Sequence, residues 1–248
     1  MVENVPEFAS WGPIGSNGRP IPSRKGEVFR AWVAAIEALG YRVDWRELCA
    51  ADYGDPTTRR RLFVQAVRGR RRIMWPDATH SKDGDYDMIR TTHRWRGARE
   101  VIDWTVPDQS IYDRKRPLSP KTMARIEAGL RRFGVQPFLV EYYGNGGAQS
   151  LKDPLNTVTT KDRHALVRPV VVANGKRYTL DIRFRMLQPH ELAAAQGFRR
   201  DYQFTGIRTE KVKQIGNAVP RSLARALVTA QLSQQSDVSK FMGYEPKQ

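Results

Sequence analysis

Arg185-Met186-Leu187-Gln188-Pro189-His190-Glu191-Leu192-Ala193, then Gln196-Gly197-Phe198, then Gln214-Ile215-Gly216-Asn217-Ala218-Val219-Pro220, carries the strongest structural signal in the chain. Pro189 and Gly197 bracket a predicted helix over 189 to 196, because proline suits a first helical turn and glycine suits the residue just past the last one. Val219 to Leu232 is predicted as a second helix. Gly216-Asn217 by itself reads as the turn that caps it, a feature any globular protein can contain.

Upstream, Val28, Phe29, Trp32, Val33, Ile36 and Leu39 recur at three and four residues, marking one face of a helix that Gly40 stops. Tyr41, Val43, Trp45 and Leu48 then nearly alternate with polar residues, and Leu62 to Val67 forms a second apolar run, so the two predict an antiparallel strand pair. Between them lies Ala50-Ala51-Asp52-Tyr53-Gly54-Asp55-Pro56-Thr57-Thr58-Arg59-Arg60-Arg61-Leu62-Phe63. The triple arginine reads either as a solvated basic turn or as a rigid pair of guanidiniums, Arg59 and Arg61, with Arg60 facing solvent. Guanidinium presents a fixed fork of donors suited to a phosphate or a base carbonyl.

From about Pro76 to Arg168 the texture turns to Gly, Pro, Asp, Arg and aromatics, with one fair helical segment around Pro120 to Phe133. It reads as a separate, irregular domain. Within it, Asp153-Pro154-Leu155-Asn156-Thr157-Val158-Thr159-Thr160-Lys161-Asp162-Arg163-His164 is either a threonine-rich strand or a surface whose hydroxyls and arginine contact phosphates and base edges. A short hairpin is predicted over Val170 to Leu180, turning at Asn174-Gly175.

Lysine plus arginine number 42 against 26 acids, a formal charge of +16. That excess favours a polyanionic partner, the alternative being a merely very soluble or ribosome-like basic protein. A single cysteine, Cys49, excludes an intrachain disulfide framework and a multi-thiolate zinc site. His80, His93, His164 and His190 show no metal-ligand spacing. Cys49 reads as a small buried strand residue. No apolar run approaches the ~18 residues of a membrane span and no export signal is visible, so a cytoplasmic, metal-free protein is expected.

The two carboxy-terminal blocks resemble the last two conserved blocks of the DNA cytosine-5 methyltransferases, and Tyr53-Gly54-x-Pro56 with Arg59 and Arg61 resembles that family's turn and Gln-x-Arg-x-Arg block. Thr57 stands where the family commonly has glutamine. Glu3-Asn4-Val5 resembles its Glu-Asn-Val block, and Ser150 to Val167, with the run from Asp153 to His164, resembles a Pro-Leu-x-Thr-Val-Thr segment of many bacterial and phage members. Apart from this last, looser match, four blocks follow in family order.

The resemblance implies an α/β fold: the later strands and carboxy-terminal helices of a Rossmann-like catalytic domain, with an inserted irregular target-recognition domain. The expected divisions are residues 1–75 for the catalytic core, 76–180 for target recognition, 181–235 for a helical return to the core, and 236–248 for a tail. It implies methyl transfer from S-adenosylmethionine to carbon 5 of cytosine in double-stranded DNA, as in restriction-modification. A thiolate adds to carbon 6, and an acid that hydrogen-bonds the ring nitrogen stabilises the charge that builds on the ring. Glu3 is the residue implied for that role. The base must leave the stack, at a cost of a few kcal/mol, and Arg59 and Arg61 would help to hold it. Asn217 and Ala218 would contact the cofactor, and Thr157, Thr159, Thr160 and Arg163 the DNA.

The family's Phe-x-Gly-x-Gly cofactor turn, its acidic cofactor ligands and its Pro-Cys nucleophile precede the Glu-Asn-Val block, and none is found in this sequence. The expectation is a carboxy-terminal part that shares S-adenosylmethionine with an amino-terminal part, either supplied as a separate chain or lost from this sequence by gene truncation or a misassigned start. The alternative is a non-catalytic DNA-binding remnant.

Overall fold

The computed structural model describes residues 1–85, 91–142, 146–175 and 177–242, apart from the side chains of 174, 177 and 234–242. Strand β1 (Val2–Asn4) is followed by a 3₁₀ turn (Pro6–Ser10), a long loop, helix α1 (Glu27–Ala38), and strands β2 (Tyr41–Cys49) and β3 (Arg60–Arg68). The three strands form an antiparallel sheet in the order β1-β3-β2. This is the predicted strand pair, with β1 added on the far side of β3. Helix α1 buries Phe29 and Val33 against Leu62 and Val64 of that sheet, and Phe8, Trp32 and Val43 close the cluster. Cys49 is buried at the end of β2.

Beyond β3 the chain crosses a loop to two short parallel strands, β4 (His80–Ser81) and β5 (His93–Arg94). Strand β6 (Gln109–Ser110), helix α2 (Pro120–Phe133), and strands β7 (Phe138–Glu141), β8 (Ala148–Ser150), β9 (His164–Asn174) and β10 (Arg177–Met186) follow. They build a five-stranded antiparallel sheet, β6-β10-β9-β7-β8, inside the stretch whose texture is irregular. The predicted helix over 120 to 133 is α2. Ser119 caps it by accepting the Thr122 N–H, and Pro120 stands at its first position.

The hairpin expected over 170 to 180 is longer, running from Ala165 opposite Met186 to its Asn174-Gly175 turn. The expected division at residue 180 therefore falls inside β10. One face of this sheet packs on α2 through Phe138, Val140, Val167, Ile182 and Phe184. Leu139 and Leu166, pointing to the other face, join a second core with Leu155, Val158, Leu187, Leu192 and Ile215.

Helices α3 (Pro189–Ala195), α4 (Arg208–Asn217) and α5 (Arg221–Met242) end the described chain. Helix α3 matches the expectation, and Gly197 just beyond it has a φ of 76°. Gly216-Asn217, expected as a turn, instead forms the last turn of α4, and α5 starts at Arg221, just after Pro220 and two residues later than expected. Helix α5 continues to Met242, through the start of the expected tail, of which residues 243–248 lie outside the described residues. No helix among the described residues is long and apolar enough to cross a membrane, and no metal-holding group of His, Cys, Asp or Glu occurs among them.

Candidate functional site

Strand β1 ends at the point where β3 begins, with Asn4 opposite Leu62 and Glu3 opposite Phe63. Glu3 and Arg61 are thus diagonal neighbours on one face, a spacing that long side chains can bridge. The Arg61 Nε lies 3.1 Å from Glu3 Oε1, in an ion pair whose side chains keep 16% and 27% of their surface open. Burial lowers the Arg61 pKa, while Glu3 and Glu7 oppose that shift. A carboxyl and a guanidinium, each fixed by the other and each reachable from solvent, can together grip a planar ligand that has both donors and acceptors on its edge. Arg60 points outward as expected, toward Glu47 at 3.5 Å.

Arg59 departs from expectation. Its side chain is buried, and Nη1 donates to the Val158 carbonyl at 3.0 Å. Burial pushes its pKa down to about 10, with the neighbouring Arg61 adding to the shift and Glu3 opposing it. Alternation along a strand would put Arg59 and Arg61, two residues apart, on one face, but Arg59 lies just before β3 begins, where the chain is flanked by the segment carrying Val158. Its guanidinium is therefore a strut between two chain segments, whereas Arg61 faces the open side.

That segment lies alongside the arginine turn. Leu155 bridges Thr57 in parallel. Leu155 N–H donates to Pro56 O and Thr58 N–H to Leu155 O, each at 2.9 Å. Thr57, in the position of the family glutamine, is buried against Asn156 O at 3.4 Å. Residues 154–163 form no strand, so the threonine-rich strand is not what this sequence makes. Leu155 and Val158 are buried anchors. Thr157 and Thr159 are half-buried, while Thr160 and Lys161 are exposed. Arg163 is half-buried and donates to Tyr142 O at 2.7 Å, which leaves Thr160 the most open of the four residues expected to meet DNA.

The same segment touches the carboxy-terminal block. A Cβ on Gly216 would come within 2.4 Å of the Thr159 carbonyl carbon and oxygen, so only glycine lets α4 approach this closely. Asn217 ends α4 exposed, and among the described residues its amide makes no side-chain hydrogen bond; Ala218 beside it is half-buried. An open amide offering donors and an acceptor suits a polar cofactor such as S-adenosylmethionine.

Three residues that sequence reasoning did not single out hold these parts together. The Asp55 carboxylate accepts from Ser222 N–H at 3.0 Å and from Leu223 N–H at 3.3 Å, at the start of α5. Arg208 opens α4 and reaches Asp162, Gln188 Oε1 and Leu187 O. Glu191 pairs with Arg185 through two 2.7 Å contacts and also accepts the N–H groups of Asp103 and Gln188. Arg185 and Glu191 stand in the quoted block, whereas nothing local in the sequence links Asp55 to a distant helix.

The profile of the family described as C-5 cytosine-specific DNA methylase matches residues 19–233. Type II methyltransferase M.SacI of Streptomyces achromogenes is 26% identical over 222 residues, covering 83% of this chain and 55% of its own. Type II methyltransferase M.AplI of Arthrospira platensis is 28% identical over 235 residues, covering 90% and 55%. The chain thus spans about half the length of the curated relatives it matches. Among solved structures, the crystal structure of S. pombe Dnmt2 methyltransferase superposes with a TM-score of 0.51 at 10% identity, over 94% of this chain and 66% of that one. The shared fold is the partial Rossmann-like α/β domain with its insertion.

Proposed function

The chain belongs to the C-5 cytosine-specific DNA methylase family, and on that premise we propose that it is the target-recognition and carboxy-terminal part of a DNA cytosine-5 methyltransferase. The observation that carries the reading is the Glu3–Arg61 pair, a carboxyl and a guanidinium held on one sheet face beside the segment that joins the arginine turn to Gly216-Asn217.

In this reading Glu3 binds the ring nitrogen and amino group of an extruded cytosine, and Arg61 takes its carbonyl oxygen. The two side chains present opposite hydrogen-bonding character, as a cytosine edge requires. Arg59 does not touch the base. It holds Val158, and with it the recognition segment, against the turn that carries Arg61. Thr160 and Lys161 face DNA from that segment, with Thr157, Thr159 and Arg163 behind them.

Asn217 and Ala218 border the cofactor, S-adenosylmethionine, whose sulfonium supplies the methyl group when bound. A second polypeptide carrying the Pro-Cys nucleophile and the glycine-rich cofactor turn would complete the enzyme.

Reconstitution tests this. The chain is coexpressed with a polypeptide bearing those two blocks, and transfer of labelled methyl to cytosine in duplex DNA is measured. Transfer is expected only from the pair, and Glu3→Gln or Arg61→Ala is expected to lower it by two or more orders of magnitude, the scale of removing an acid or an electrostatic contact. Full activity in both variants overturns the site. DNA binding without any methyl transfer by the pair favours the non-catalytic reading.

A further inference from the structure

Between the 3₁₀ turn and α1 the chain builds a rigid lip over residues 11–25 that the site described above does not use. Gly15 N–H donates to Arg19 O at 2.8 Å, Ile21 N–H to Pro13 O at 3.0 Å, and Ile14 bridges Pro20. The lip is tied down at α1, where Trp11 O accepts from Val28 N–H at 3.1 Å and Ser10 O from Gly26 N–H at 3.0 Å. Its Gly12 lies so close to the Arg24 carbonyl that a Cβ would approach within 2.4 Å. A loop fixed by this many backbone contacts nevertheless leaves Trp11 51% and Ile14 68% exposed. With Pro13, Ile21 and Val28 they line an apolar cleft of about 920 Å³. A preformed apolar surface held in water marks a place for a partner.

Position and charge say which partner. Strand β1 leaves the sheet at Asn4, β2 ends at Cys49 opposite Arg60, and α1 begins at Glu27. The lip, the Glu3–Arg61 pair and the start of β3 therefore share one end of the sheet. Arg19 and Lys25 are exposed on the lip and, among the described residues, have no ion-pair partner. Aromatic and apolar side chains interleaved with free cations are the composition of a surface that stacks bases while neutralising phosphates.

We infer that the lip is a second DNA-contact surface, in which the Trp11–Ile14 cleft receives a base of the duplex opened beside the target cytosine while Arg19 and Lys25 hold its phosphates. This rests on the reading of DNA as the substrate. It adds to the machinery a specificity element that acts on the nucleotides flanking the target.

The test uses the full chain and a mixed-sequence duplex containing 5-bromodeoxyuridine. Photocrosslinked peptides are mapped, and affinity is followed against salt for the native chain and for Ile14→Ser/Arg19→Ser/Lys25→Ser. All three positions are exposed, so an unchanged thermal midpoint serves as the folding control. Crosslinks within residues 11–25, an affinity loss on the order of tenfold, and a salt slope shallower by about two, one per phosphate contact removed, support the inference. If the chain binds DNA, crosslinks elsewhere and the variant matches the native affinity and slope, the lip is not a DNA surface and the proposed function stands. If the chain binds no DNA under any salt condition, both fail. A variant that alters sedimentation rather than DNA affinity assigns the cleft to a second copy of the chain and overturns the inference.

Discussion

The Asp55 carboxylate accepts the backbone N–H of Ser222 at 3.0 Å, so a residue of the turn before the arginines caps the first turn of a helix through a residue 167 positions later. Burial pushes the Asp55 pKa up to about 6, against the pull of Ser222, Leu223 and Arg96. Against the outer side of this carboxylate, Gly197 leaves no space for a side chain.

Stability should accordingly depend on pH through Asp55. Its folded pKa lies above the ordinary aspartate value near 4, so the folded state binds the proton more tightly. The contribution is full below about pH 4 and is lost as pH rises through about 6. Urea unfolding of the native chain and of Asp55→Asn at pH 4 and pH 7 measures it. The native chain is expected to lose on the order of 3 kcal/mol relative to the variant across that interval. A constant difference would show that the carboxyl is not the titrating group.

Glu191 and Arg185 form a buried pair whose carboxylate also accepts two backbone N–H groups. Removing one charge from such a pair strands the other, at a cost of roughly 3–5 kcal/mol. Glu191→Gln should lower the urea midpoint by a corresponding amount, and it should do so without touching Glu3 or Arg61.

Gly216→Ala places a methyl group where the Thr159 carbonyl now lies, 2.4 Å from the ideal Cβ. The backbone conformation of Gly216 is helical, so alanine's better helix propensity would otherwise stabilise α4. A loss of about 1–3 kcal/mol, the usual cost of overpacking, read by thermal melting, would show that the clash dominates. A gain would show that the recognition segment moves aside easily.

Arg59→Met leaves the Val158 carbonyl without its donor, a cost of about 1–3 kcal/mol. Hydrogen exchange locates the effect. Faster exchange is expected at the Leu155 and Thr58 amides, which now bond Pro56 and Leu155 across the same contact. Exchange unchanged at both amides would mean that the apolar anchors Leu155 and Val158 hold the segment without the arginine.

Elements with local signals were legible in the sequence. Helices α1, α2 and α3 announce themselves by apolar spacing, by Ser119-Pro120 and Pro189 at their starts, and by Gly40, Gly134 and Gly197 at their ends. Helix α4 does not. It buries little more than Val212 and Ile215, and its start has Ile207 in place of a capping hydroxyl or carboxyl, with Glu210 accepting the Ile207 N–H instead. The five-stranded sheet was hidden because β6, β7 and β8 are two to four residues long, too short to display alternation. Glu3 and Arg61 could be matched from their motifs, and the structure brings them together. The inward turn of Arg59 could not be read, because its partner Val158 lies 99 residues away and offers only a backbone oxygen.

The segment wedged between the arginine turn and α4 also sets a schedule for folding. Its contacts join Arg59 to Val158 across 99 residues, and the cap on α5 joins Asp55 to Ser222 across 167. Contacts of such long range form late, after the chain between them has been ordered. During synthesis Arg59 lacks its partner until Val158 has left the ribosome, and Asp55 lacks its own until the start of α5 has. The parts of the site that the chain makes first are thus the ones it completes last.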